Sequence, residues 1–531
     1  MLREYADHST LKAYIVGGGI AGLATAVYLL GAARFSGRNI TIFNQDSVNG
    51  GALDGSGSAQ QGYLIRGGRM HEEHFVCEWD LLSGIPTLDN PNMSVTQEIF
   101  EFNKQIVTCS HSRLLRSGEK MDVSSYGLSK HDIFNLLRLN STPEALLGGK
   151  TIAEWFTPEF FDTVFWKLWA TTFAFQRWSS LAEMRRYAIR FIHLLPGFNQ
   201  LKGIMRTVYN QYDSVILPLE TWLRQQGVRF LMNTPVIDVD FDIADDARRA
   251  TGLHYLADGS AQKTALGGDD YLFLTLGSMV ESTAIGSMTT AAPLLPKSPT
   301  GAWALWERIA SKDATFGRPT VFNDHVDQSK WMSFTVTLND PTFFEHMERF
   351  TSNKAGTGGL LTMTDSSWLM SVVLAHQPHF RNQPADTFVF WGDGLLPDNP
   401  GNYVQKPMSQ CSGADILHEL FSHLGVVELM RPVMHKVVNC VPCMMPYIDS
   451  QFMPRIKGDR PLVIPDGAKN FAFLGQFVEV PHDCVFTVEY SVRTAQTAVF
   501  GLFDVGREVS PVYRGDHDID VLIHALQALI R

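Results

Sequence analysis

A run of glycines joining an apolar strand to an apolar helix, close to the start of the chain, constrains the fold more than any other feature. Residues 13–16 are apolar with β-branched members, the pattern of a buried strand. Gly17-Gly18-Gly19-Ile20-Ala21-Gly22 follows at once, and residues 23–30 continue with small and apolar side chains at helical spacing. Residues 39–43 make a second apolar strand. A GxGxxG between strand and helix is the fingerprint of a dinucleotide-binding unit. Gly17 permits the tight turn, Gly19 lets the backbone approach a pyrophosphate, and Gly22 lets the helix pack closely on the strand. The pyrophosphate then sits at the positive end of the helix dipole, bonded by free N–H groups. The second strand ends in Asn44-Gln45-Asp46, where such folds usually carry an acid for the ribose hydroxyls. Asn44 can bond a ribose, though less strongly than a carboxylate, and Asp46 is the substitute.

The 531 residues suffice for about two to four domains. A net charge of -11 argues against nucleic acid as a partner. The 34 Phe and 11 Trp suit an apolar ligand cavity, and equally a large ordinary core. Six cysteines scattered along the whole length are no disulfide framework. Cys440-Val441-Pro442-Cys443 has no second pair at zinc spacing, so no metal centre is expected. The first ten residues lack the apolar core of a signal peptide, and no run reaches the ~18 apolar residues of a membrane span. A cytoplasmic protein, at most peripheral to a membrane, is expected.

Residues 50–57 (GGALDGSG) form a glycine-dense loop suited to close approach to a ligand, with Gly51 and Asp54 as candidate contacts. A short strand then leads to Arg66-Gly67-Gly68-Arg69. In flavoproteins with such a start this loop touches the flavin, which makes Gly67, Gly68 and Arg69 cofactor candidates; the plainer reading is a solvated surface loop. Residues 75–190 are mostly helical in pattern. The tract holding Trp155, Phe156, Phe160, Phe161, Phe165, Trp166, Trp169, Phe173 and Phe175 is either a buried helix pair or the wall of an apolar tunnel. Residues 227–234, 236–241 and 270–276 read as strands, the last closing on Thr275-Leu276-Gly277. Residues 300–420 look like an inserted α+β segment, with strands at 334–338, 369–374 and 388–391 and a helix at 417–424. A final strand runs into Gly475, and a helix follows Phe486 and Thr487, as where flavoproteins clamp the isoalloxazine end of FAD. The fold class is therefore α/β, a Rossmann-like FAD-binding domain of the flavin oxidoreductase type with an inserted α+β substrate domain and helical segments. The expected division is a discontinuous cofactor domain (1–75, 203–290, 425–512), a helical substrate cap (76–202) and an α+β substrate domain (291–424). Residues 513–531 carry an amphipathic helix, for docking or for contact with a membrane surface.

Several longer stretches go beyond a generic flavoprotein. GGALDGSG, RGGR, FAFQRWSSLAEMRRY, YNQYDS, DSSWLMSVVLAHQPHF, MPYIDSQFMPR and LGQFVEVPHDCVFTVEYSVRTA together resemble the oleate hydratases, or myosin-cross-reactive antigen family, from about residue 12 to 510. The resemblance implies bound FAD and addition of water to the cis-9 double bond of oleic and related unsaturated fatty acids, giving 10-hydroxy acids with no net redox change. An isolated alkene is a very weak base, so hydration needs a positioned acid, a base for the water, and a surface that stabilises positive charge. The tail must be desolvated and the carboxylate fixed at the far end, so that the double bond reaches the acid. By resemblance, Tyr187 is the proton donor, and Gln211 and His379 bind the substrate carboxylate.

Two departures stand out. Many members read RGGRE, with the glutamate activating water, where this chain has Met70. Met70 cannot accept a proton, so either a mobile loop delivers Glu72 or Glu73, which is the expectation, or the reduced flavin and the backbone position the water unaided. The TVNRQPH of the family's carboxylate pocket is here Val373-Leu374-Ala375-His376-Gln377-Pro378-His379, leaving His379, Gln211 and His376 to hold the carboxylate. The chain also lacks the N-terminal extension that supports dimers in larger members, so a monomer is expected ahead of a homodimer. The alternatives are a redox flavoenzyme of amine-oxidase or desaturase type, and a non-catalytic lipid-binding flavoprotein.

Overall fold

The computed structural model describes residues 8–530, so residues 1–7 and 531 of the expected division lie outside the described residues. A five-stranded parallel sheet forms the cofactor unit, in the order Phe471–Leu474, Asp270–Thr275, Lys12–Val16, Ile40–Phe43, Arg229–Leu231. Its strands are short and apolar on both faces, as a parallel sheet covered on both sides requires. The helix Ile20–Gly31 is buried along most of its length because it lies between the sheet and the long helix Val488–Leu502. Gly22 is required here: a Cβ on it would stand 2.0 Å from the Gly17 carbonyl oxygen. A three-stranded antiparallel sheet, Val236–Ile243, Arg248–Ala257 and Ser260–Ala265, extends from the chain between these elements.

The second unit is an eight-stranded, largely antiparallel sheet. Its order is Ala284–Ile285, Val437–Met445, Trp331–Leu338, Phe388–Gly394, Met370–Val373, Leu361–Met363, Leu114–Arg116, Glu119–Lys120. This differs from the expected division. Val437–Met445 and Ala284–Ile285 fall in ranges assigned to the cofactor domain, and the hairpin 114–120 in the helical cap, yet all pair in this sheet. Strand pairing is non-local, and a largely apolar strand such as Val437–Met445 joins whichever sheet buries both its faces. Within that strand Cys440 and Cys443 belong to the apolar clusters on opposite faces of the sheet, so the pair cannot chelate one ion.

Trp331–Leu338 is buried at every position. One face packs on the helix Gly413–His423 and on Phe343 and Phe390. The other meets the hairpin Gly55–Ser58/Gly62–Ile65, where Thr335 and Thr337 hydroxyls accept the Ile65 and Tyr63 N–H groups at 3.1 and 2.9 Å. This seam fixes the RGGR loop between the two units. The aromatic tract resolves mainly into core: Phe156 stacks on Phe160 and Phe165 on Trp169, while Trp169 and Phe173 also face a cavity. The C-terminal helix Ile519–Ile530 docks on residues 192–200 through Ala525, Ala528 and Leu529, and leaves Ile519, Ile523 and Ile530 exposed. No helix among the described residues is long and apolar enough to cross a membrane.

Candidate active site

A cleft of about 1130 Å³ opens at the C-terminal ends of the parallel strands, where open α/β sheets bind ligands. Gly17, at φ +111°, adopts a backbone that disfavours a side chain, and a Cβ there would meet Thr275 Oγ1 at 2.7 Å. A Cβ on Gly19 would meet only the Gly50 carbonyl oxygen at 4.0 Å, so the backbone here borders open space. Gly19 is also the N-cap of Ile20–Gly31 and offers no capping side chain, leaving first-turn N–H groups for an anion. The Gly50 N–H donates to Gly18 O at 2.9 Å and ties the second glycine loop, with Gly51, across the cleft.

The expected cofactor residues divide. Gly17, Gly19, Asn44, Asp46, Gly51, Arg69, Thr275, Gly475, Phe486 and Thr487 all line the cleft. Asn44, however, turns its amide inward. Its Nδ2 donates to Val48 O and Asn49 Oδ1, and its Oδ1 accepts from the Asp46 N–H. Asn44 therefore shapes the loop, and Asp46 presents the carboxylate. Asp54 faces none of the cavities and instead pairs with Arg66 at 3.2 Å. Gly67 packs against Arg69 and Trp391, away from the cleft, and Gly22 lies inside the helix–strand contact. Thr275 Oγ1 is buried at the cleft wall without a hydrogen-bond partner. Thr487 caps Val488–Leu502, accepting the Tyr490 N–H at 3.1 Å. The open glycine cradle, the uncapped helix end, the Asp46 carboxylate and the orphaned Thr275 hydroxyl fit a dinucleotide.

Two further cavities adjoin the cleft. One, of about 870 Å³, is walled by Phe75, Trp169, Phe173, Phe191 and Phe198 together with Met70, Glu72 and Tyr187. The other, of about 640 Å³, shares Gly68, Arg69, Met70 and Phe486 with the first and adds Arg206, Trp331, Trp391 and Asp393. Such apolar walls with few polar groups suit a hydrocarbon chain.

Tyr187 lies on the helix Leu181–Arg190, which buried ion pairs hold in place: Glu183 reaches Arg455 and Arg460 at 2.8 and 2.9 Å, and Arg186 reaches Glu144 at 2.8 Å. The phenol is ringed by Phe173, Phe175, Phe191 and Phe452 and donates to Val485 O at 2.6 Å. Burial raises its pKa well above the ordinary value, so it carries its proton throughout the physiological range.

Glu72 is not on a mobile loop. It forms a two-residue strand paired with Ile204–Met205, and its side chain is 1% exposed. Its carboxylate meets Arg190 Nη1 at 2.8 Å, His74 Nδ1 at 3.0 Å and His193 Nε2 at 3.4 Å. Burial alone would raise its pKa, but hydrogen bonds from His193 and His74 and the Arg190 charge hold it well below the usual carboxylate range. The two-residue spacing to His74 was visible in the sequence; Arg190 and His193, more than a hundred residues on, were not. Glu73 is 71% exposed and faces away from the cavities.

The expected carboxylate residues line none of the three cavities. Gln211 is buried and donates from Nε2 to Arg69 O at 3.2 Å. Burial, with the nearby Arg206 charge and His376, lowers His379 to about 4, and burial lowers His376 as well, so both rings are neutral at pH 7. The charge here belongs to Arg206, a residue the sequence did not single out. Its Nη2 donates to Gly358 O at 2.7 Å, its Nε has no partner, and no carboxylate pairs with it among the described residues. Burial lowers it only to about 10, so it remains a cation.

The sequence matches the MCRA family over residues 10–500. It is 39% identical over 529 residues to an oleate hydratase of Streptococcus pyogenes serotype M49 (strain NZ131), covering 98% of this chain and 89% of that one. It is 31% identical over 531 residues to a linoleate hydratase of Lactiplantibacillus plantarum, covering 92% of this chain and 93% of the relative. Among solved structures, cyclohexylamine oxidase from Brevibacterium oxydans IH-35A superposes with a TM-score of 0.53 at 13% identity, covering 93% of this chain and 98% of that one. A putrescine oxidase bound to putrescine gives 0.51 at 12%, covering 94% and 99%. At such identities these two share the fold alone, a flavin-binding fold of the amine-oxidase type.

Proposed function

The chain belongs to the MCRA family, and from that premise we propose that it is a fatty acid hydratase, adding water across an isolated double bond of oleic and similar unsaturated acids. The observation that carries the reading is the junction at Arg69 and Phe486, where a dinucleotide cleft adjoins an aromatic cavity lined by a buried, protonated Tyr187. Oleate is taken as the representative substrate, with its 10-hydroxy acid as the product.

FAD is the dinucleotide we assign to the cleft, with Gly17–Gly19 at the pyrophosphate, Asp46 at a ribose, and Thr275, Gly475 and Thr487 around the ring end. When bound, it supplies a polarisable wall to the adjoining cavity. The aromatic side chains exclude water from the substrate tail, worth roughly 25 cal/mol per Å² of apolar surface removed. Arg206, with neutral His379 and His376 beside it, holds the carboxylate. Tyr187 delivers its proton to one alkene carbon as water adds to the other. A raised pKa makes the phenol a weaker acid, but the low dielectric strengthens its attraction to the cationic carbon that forms. The O–H must first turn from Val485 O toward the alkene. No electron leaves the substrate. A monomer in the cytoplasm, with the exposed apolar face of Ile519–Ile530 available to a lipid surface, completes the proposal.

The test is incubation of the FAD-loaded protein with oleate in ¹⁸O-water, followed by mass spectrometry. A hydroxy acid carrying solvent oxygen, with no oxygen consumed, supports the reading. Peroxide and an oxidised product would show a redox flavoenzyme, and unchanged oleate a lipid-binding protein.

A further inference from the structure

We infer that Asp393 is the base that takes the proton lost by the attacking water, an inference that rests on the hydratase reading above. Three side chains at the two apolar cavities could serve as a carboxylate or imidazole base: His71, Glu72 and Asp393. His71 is fully buried with its Nδ1 2.8 Å from Glu78 Oε1. Glu72 is already engaged by Arg190, His74 and His193 at 2.8, 3.0 and 3.4 Å. Asp393 alone is uncommitted. It lies on Phe388–Gly394, two residues beyond Trp391 and therefore on the same face, and both line the cavity shared with Met70. Among the described residues no N–H, hydroxyl or cation pairs with its carboxyl group. It is 4% exposed. A buried carboxyl group without a partner costs stability, and nothing in the packing of this apolar strand requires one.

The chemistry balances without an electron acceptor. The alkene π pair forms a C–H bond with the donor's proton, and a water lone pair forms the C–O bond. The O–H pair of that water stays on oxygen while its proton moves to Asp393 Oδ. Asp393 then releases that proton to solvent and the donor is reprotonated, so the net change is one water added. Burial holds the Asp393 carboxyl well above the usual range, which makes its ionised form a stronger base than an ordinary carboxylate. Arg69 and Arg206 are the cations on the same cavity wall. The buried Asp449 carboxyl, which interacts with Asp393, opposes its ionised form. Ser333 and Ser371, opposite it on the adjacent strands, carry no charge.

The test uses the FAD-loaded enzyme with oleate in ¹⁸O-water, from about pH 5 to 9. The unmodified protein is expected to lose kcat as pH falls, along a limb lying above the ordinary carboxylate range. Asp393→Asn is expected to lower kcat by about a hundredfold or more, with KM little changed and that limb gone. Asp393→Ala is expected to be equally slow and to regain activity on addition of formate. Retained flavin absorbance and melting temperature separate lost chemistry from lost fold. Full activity in D393N, a folded D393A that formate does not rescue, or an unmodified enzyme whose kcat is flat down to about pH 5 would each overturn the inference. If the unmodified enzyme makes no hydroxy acid, it is the hydratase reading that falls.

Discussion

The Arg69 guanidinium carbon stands 5.1 Å from the centroid of the Phe486 ring, and these two side chains separate the nucleotide cleft from both apolar cavities. Phe486 is held at φ +69°, a conformation few non-glycine residues adopt, with its N–H donated to Gln476 Oε1 at 2.5 Å. Burial lowers Arg69 to about 10 against the opposing pull of Tyr187 and Asp54, so its charge persists at the partition. Cation and ring, held together by their mutual attraction, form the wall that the three spaces share.

Phe486→Ala should open that partition. Flavin affinity is expected to fall about tenfold, or 1.4 kcal/mol, because one wall of the ring site is lost. Titration of the apoprotein with FAD by fluorescence quenching measures it, and an unchanged dissociation constant would place the ring end elsewhere.

Tyr187→Phe should separate structure from chemistry. Losing the hydroxyl leaves the buried Val485 carbonyl unpaired, at a cost of roughly 1–3 kcal/mol in denaturant unfolding. Hydration should fall by about a hundredfold or more. A variant that loses the stability but keeps the rate would remove Tyr187 from the reaction.

Glu72→Gln should act on stability through Arg190, which loses its nearest countercharge and keeps only the longer 3.7 Å contact to Asp483, at up to roughly 3–5 kcal/mol. The sign with pH follows from the depressed pKa of Glu72. Its contribution is complete above the unfolded value, about 4.3, and is lost as pH falls from there toward the folded value. Urea melts of parent and variant should therefore differ most near neutrality and converge in acid. A gap that stays constant would mean that Glu72 is not the ionised partner.

Arg206→Gln should raise KM for oleate about tenfold to a hundredfold while leaving turnover of oleate methyl ester nearly unchanged, since only the free acid offers a charge to the guanidinium. Equal losses on both substrates would show that Arg206 acts through packing. The same pair of substrates assayed with His379→Ala would tell whether that neutral ring adds a hydrogen bond.

Gly17 to Gly22, the strand before them and the helix after them were legible because their requirements are local: a positive φ at Gly17 and a Cβ-free contact at Gly22. Strand cores such as Trp331–Leu338 and Phe388–Gly394 were likewise visible as apolar runs, though not their full lengths. Asn44 looked like a ribose ligand because sequence position does not reveal that Val48 and Asn49 claim its amide. Glu72 looked free for the same reason, with Arg190 and His193 far along the chain.

By itself, then, the sequence determined the dinucleotide cradle, the α/β class, the family, and the presence of a tyrosine and an aromatic tract able to serve a hydrocarbon substrate. Only the tertiary structure decided that Val437–Met445 joins the second sheet, that Glu72 is locked, and that Arg206 and Asp393 face the cavity holding Met70. The physical reason is range. Turn geometry and helical or strand period are set by neighbours a few residues apart, whereas burial, ion pairing and cavity walls depend on groups that pairing between distant strands brings together.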